Sequence, residues 1–153
     1  MDKLMLKIDD NDFLNENLKK YLINLEGVFN CLVSPSEGKI YVDYESSIIP
    51  LKVLKLEILY FLDALKTPSI LAFSKYSHEK TQQDTIIIKD ICCEYCLKNF
   101  INDLFDQDEI VSVDTNFDHH NMFNVNIFIT YKENMIDKTW LENLEKNNYC
   151  LKK

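Results

Sequence analysis

From Lys3 to Ile8 apolar and polar residues alternate, the period of a half-buried strand. The period then lengthens. Phe13, Leu14, Leu18, Tyr21, Leu22 and Leu25 recur at helical spacing, and Asp10 or Asn11 stands where an N-cap is needed. Gly27 ends that run, and Val28 to Val33 reads as a second strand. Ser34-Pro35-Ser36-Glu37-Gly38 is turn chemistry, after which Ile40, Val42 and Tyr44 alternate as a third strand. Pro50 opens a second helix running to about Leu65, and Ser69 to Phe73 makes a short last strand. The predicted order is β-α-β-β-α-β.

The second half repeats it. Thr85-Ile86-Ile87-Ile88-Lys89 reads as a buried strand, and Leu97, Phe100, Ile101, Leu104 and Phe105 mark one helix face. Leu14, Leu18 and Leu22 fall on Cys96, Phe100 and Leu104 at a shift of 82 residues. Ile40 to Tyr44 falls on Ile127 to Tyr131 at a shift of 87. The second hairpin therefore carries a five-residue insertion, around His119 and His120. A last helix is expected behind Asp137 or Thr139, with Glu142 completing a capping box and Trp140, Leu141 and Leu144 on its core face. The polar run Ser74 to Asp84 has the composition of a linker. Two α+β units, residues 1–74 and 84–153, follow one another, and a split β-α-β architecture suits each.

Composition narrows the function. Of 153 residues 46% are apolar, enough for a packed core. A net charge of −8 with no arginine argues against nucleic acid, whose binding rests on cationic phosphate contacts. Two glycines are too few for a phosphate-cradling loop. Nothing at the start reads as a secretory signal. The apolar tract Ile48 to Leu65 is broken by Lys52, Lys55, Glu57 and Asp63, so no membrane insertion is expected. Five cysteines, an odd number, suit free thiols in a reducing, cytoplasmic setting.

Cys93 and Cys96 sit where a strand turns into a helix. The N–H groups and dipole of a helix start favour thiolate over thiol, so this pair suits a soft metal ion or a reversible disulfide. Glu94 between them adds negative charge, which opposes a thiolate. Cys92 reads as a bystander on the loop, Cys31 and Cys150 as packing residues, and His78 as a solvated linker residue. Thioredoxin-like proteins place a cis-proline after such a pair, whereas Pro35, Pro50 and Pro68 all precede it. An iron–sulfur cluster needs four thiolates and a structural zinc site two ligand pairs, and no second set stands at a usual spacing. Neither a Ser/His/Asp arrangement nor paired carboxylates stand out, so an enzyme is not expected.

The second half resembles the heavy-metal-associated (HMA) domain of copper chaperones and metal-transporting ATPases, whose loop reads Gly-Met-x-Cys-x-x-Cys. Here Asp90 takes the glycine's place, Ile91 the methionine's, and Cys93 and Cys96 those of the two metal thiolates. Glu109-Ile110-Val111-Ser112-Val113 is similar to the family's Gly-Val stretch, and Asn148-Tyr149 to its Gly-Tyr. The resemblance covers about residues 84–153 and implies a ferredoxin-like βαββαβ fold for that half. The first half looks like a degenerate copy. Gly27-Val28 remains, but Asn11 and Leu14 replace the cysteines and cannot ligate a soft metal.

The resemblance implies two tandem ferredoxin-like modules, the second binding one soft ion, Cu(I) or another soft metal ion such as Zn, through Cys93 and Cys96. Tyr149 would shield the ion, and His119 or His120 could reach it as a third ligand. The implied partner is a metal-transporting ATPase or another metal-binding protein, receiving the ion by ligand exchange. The alternative is an HMA-fold interaction module without a physiological metal.

Overall fold

In the computed structural model the opening alternation becomes strand β1 (Asp2–Ile8), with Leu4, Leu6 and Ile8 buried. The structure describes residues 1–9, 12–65, 69–76, 79–91, 94–117, 123–133 and 151–152; at 86–91, 123–124 and 151–152 the backbone alone is described. The chain divides into two units, Met1–Tyr76 and Ser77–Lys153.

In the first unit β1 is followed by α1 (Glu16–Ile23), β2 (Val28–Ser34), β3 (Lys39–Tyr44), α2 (Leu51–Phe61) and β4 (Ile70–Lys75). The antiparallel sheet runs β2-β3-β1-β4. Leu18 and Leu22 of α1 and Leu54 and Ile58 of α2 are buried with Ile40, Val42 and Tyr44 of β3.

Three expectations about this unit shift. Helix α1 begins at Glu16, because the side chain of Asn15 accepts the Asn17 N–H at 3.0 Å and caps it there. Asp10 and Asn11 lie outside the described residues, and Phe13, ahead of the helix, is 54% exposed. Helix α2 stops at Phe61 instead of Leu65. Asp63 turns left-handed at φ 54, and Asp63 and Ala64 donate their N–H groups back to Tyr60 and Leu59, closing the helix end. Strand β4 runs on to Lys75, into the stretch expected to be linker.

The first strand of the second unit is β5 (Thr81–Ile91), which takes up the end of that stretch from Thr81 onward. Helix α3 (Glu94–Phe105), β6 (Ile110–Thr115), β7 (Phe123–Lys132) and β8 (Leu151–Lys152) follow. Pairing gives the order β6-β7-β5-β8, again antiparallel. The expected helix around Trp140, Leu141 and Leu144, with Asp137, Thr139 and Glu142, lies outside the described residues. No helix among the described residues is long and apolar enough to cross a membrane.

The units agree in detail. A bulge falls between Val28 and Asn30 in β2 and between Ile110 and Ser112 in β6, the same place at the 82-residue shift. Tyr44 pairs with Val28 and Tyr131 with Ile110, and both tyrosines are buried. Behind each bulge the same bonds recur. Val28 donates to Leu25 and Ile110 to Gln107, while Glu45 donates to Gly27 and Lys132 to Glu109.

Gly27, at φ +94, leads into β2 in a conformation that side chains rarely adopt. A Cβ there would also lie 2.8 Å from Ile49 Cγ2 and 2.9 Å from Ile48 Cγ2. Gly27→Ala should therefore lower stability by about 1–3 kcal/mol. A wild-type urea midpoint in that variant would show that the turn relaxes without cost.

Candidate metal centre

Strand β5 ends at Ile91 and helix α3 begins at Glu94, so Cys92 and Cys93 stand in sequence between them, outside the described residues. Cys96 is the third residue of α3 and is half-buried. The helix is anchored one turn further along by Leu97, Phe100, Ile101, Leu104 and Phe105, the five residues of the predicted face, all buried. Glu94 lies in the first turn, where a carboxylate complements the helix dipole. Lys98 Nζ stands 3.4 Å from Glu94 Oε2, an i,i+4 ion pair that offsets the negative charge between the cysteines. That partner went unnoticed in the sequence, although its spacing from Glu94 was the available signal.

The two units differ at this helix start. At the 82-residue shift Glu16, where α1 begins, falls on Lys98, four residues after the start of α3. Helix α3 is longer by about one turn at its start, and that turn carries Cys96. In the first unit the equivalent residue is Leu14, ahead of the helix and only 5% exposed. An apolar side chain buried there supplies no donor for a metal.

Pairing brings other chain segments to the same end of the second unit. Asp90, next to last in β5, pairs with Phe123 of β7 and with Lys152 of β8. The five-residue insertion runs into β7, and Cys150 directly precedes β8. His119, His120, Asn148, Tyr149 and Cys150 lie outside the described residues. Of the expected site residues the structure therefore places Cys96. Among the described residues no group of three or more His, Cys, Asp or Glu could hold a metal ion.

Cys31 behaves oppositely to a ligand. It lies in β2, pairs with Val42 and is 1% exposed, and burial pushes its thiol up from 9.0 to about 11. A thiol held protonated in this way is a core residue.

No family model matches the sequence, and no curated protein matches it. Among solved structures the chain is similar to the N-terminal soluble domains of Bacillus subtilis CopA in solution. The TM-score is 0.38 at 11% identity, over 96% of this chain and 89% of that one. It is also similar to the water-soluble region of the P-type ATPase CopA from Bacillus subtilis. There the TM-score is 0.40 at 15% identity, over 99% and 91% of the two chains. Both TM-scores and both identities are low.

Proposed function

We propose that the protein consists of two tandem ferredoxin-like modules and that the second binds one soft metal ion, Cu(I), as cargo between Cys93 and Cys96. The observation that carries the reading is the added first turn of α3, which bears Cys96, while in the sequence Cys93 stands three residues earlier, between β5 and α3. Helix starts favour thiolates, and thiolates select soft cations over hard ones. Two sulfurs leave room for an incoming thiolate, so the ion can pass by ligand exchange to a cytoplasmic partner, a metal-transporting ATPase or another metal-binding protein. No bond-making chemistry is assigned to the chain. The first module, with Leu14 in place of a cysteine, serves as a structural or docking unit.

Titration with Cu(I) under reducing conditions, against a competing chelator, is the test. Wild type should take up one equivalent per chain, and Cys93→Ser/Cys96→Ser none. Equal uptake by both would place the metal elsewhere. Absence of specific uptake by wild type would leave an interaction module that has kept the fold alone. Zn belongs in the same titration, since a thiolate pair accepts it too.

The pairing of Asp90 with Phe123 supports an auxiliary role for the insertion that precedes β7. His119→Ala/His120→Ala should weaken metal binding several-fold while leaving the stoichiometry at one. An unchanged dissociation constant would leave the cysteines as the only ligands. Tyr149→Ala should hasten loss of the ion to the chelator by unshielding it, and an unchanged rate would remove that role.

A further inference from the structure

The sheet face of the first unit opposite its helices carries two rows of side chains, one apolar and one charged, and the second unit does not share the charged one. Register places Leu32, Tyr41 and Met5 side by side across β2, β3 and β1. One step along the strands, Asn30, Asp43 and Lys3 form the next row, and the Tyr76 N–H donates to the Lys3 carbonyl at 3.0 Å beside it. These residues line an open concavity of about 540 Å³, a size that suits a small organic molecule. Leu32 is 55% exposed and Tyr76 48%, a large apolar surface for strands whose other faces form a core.

The charges decide what fits. Asp43 and Lys3 are direct cross-strand partners, so an acidic and a basic side chain start from Cβ atoms about 5 Å apart, on one side of an apolar floor. A zwitterion lying across them would set its ammonium on Asp43 and its carboxylate on Lys3, with its apolar part over Leu32, Tyr41 and Met5. At the matching positions of the second unit Gln83 pairs with Thr130, and Ser112 stands where Asn30 does. The repeat thus has the same backbone without the charge pair, and the concavity's chemistry belongs to the first unit alone.

We infer that the open sheet face of the first unit binds a free α-amino acid with a large apolar side chain, held as its zwitterion between Asp43 and Lys3. This site is separate from the cysteine pair, and its existence does not depend on metal binding. Exposed ion pairs are weak, so the dissociation constant should fall near about 0.1–1 mM.

Amide NMR of the whole chain, titrated with L-phenylalanine to about 10 mM, provides the test at that affinity. Shifts should concentrate at residues 3–5, 30–32 and 41–43 and be absent from 83–85 and 128–130. Phenylalaninamide and 3-phenylpropanoate, each lacking one charge, should bind several-fold more weakly. Lys3→Gln/Asp43→Thr, which copies the second unit's residues, should abolish the preference for the zwitterion while the amide spectrum stays folded. Absence of saturable shifts, or equal binding of 3-phenylpropanoate, would overturn the proposal, the latter leaving an apolar patch only. So would an undiminished preference in the double variant.

Discussion

Phe100→Ala should destabilise the second unit by about 3–5 kcal/mol, the expected loss for a buried phenylalanine truncated to a methyl group. Phe100 is 1% exposed in the middle of α3, and Leu97, Ile101 and Leu104 on the same helix are fully buried. Such a core is packed too densely to collapse into the space a ring leaves, so most of the cavity would persist. The amide NMR signals of α3 provide a local reading of unfolding in urea. Phe100→Leu should lose much less, because it keeps most of the volume. A near-normal midpoint for Phe100→Ala would mean that α3 turns another face to the sheet. Leu18, at the same place in α1 and fully buried, should cost about 2–5 kcal/mol when changed to alanine.

The second large effect is alkaline. In the first unit burial pushes the Cys31 thiol up from 9.0 to about 11. Tyr44 is pushed from 10.0 to about 12, by burial and then by the nearby Asp2 charge. Both groups are held neutral in the fold and ionise earlier in the unfolded chain. Their stabilising effect is therefore complete below pH 9 and fades as pH rises from 9 to 11 for Cys31 and from 10 to 12 for Tyr44. A shift of this size corresponds to roughly 2–3 kcal/mol for each group. The second unit carries Val113 at the matching register position, paired with Ile129 as Cys31 is with Val42, and that residue suggests the test. Cys31→Val should leave stability at pH 7 nearly unchanged and flatten its decline between pH 9 and 11. An unaltered decline in that variant would assign the alkaline sensitivity to other groups.

Most of the backbone order could be read from the sequence because its strands bury one face. Ile40, Val42 and Tyr44 are buried as their alternation requires, and so are Ile127, Ile129 and Tyr131. The hairpin insertion was legible for the same reason, since two well-marked blocks had to be aligned at different shifts. The stretch expected as linker was misread because its strand residues are polar. Gln82 and Gln83 of β5 are exposed and pair with Tyr131 and Thr130, and hydrogen bonding along a strand leaves no mark in composition. Helix limits failed for a similar reason. Asn15 and Asp63 act through single side-chain or backbone bonds, which the apolar period of a helix does not register.

For the candidate site, the sequence offers the spacing of Cys93 and Cys96, and the structure adds the turn of helix on which Cys96 rides. The ion pair of Glu94 with Lys98 changes the electrostatics read from Glu94 alone. The concavity over Lys3 and Asp43 could not be read at all. It depends on three strands lying side by side in one register, and residues 3, 30 and 43 share nothing in sequence that links them.

The bulge in β2 bears on how the protein behaves when crowded. This is the outermost strand of the first unit's sheet, and an outer strand offers its unused hydrogen bonds as a template to other molecules. Phe29 is the extra residue there, 55% exposed, and it twists the strand just where an incoming chain would begin to pair. The straight run left beyond it is short, from Asn30 to Ser34, and a turn closes it. Straightening β2 by deleting Phe29 should therefore lengthen that template and promote self-association, at a place far in sequence from Cys93 and Cys96.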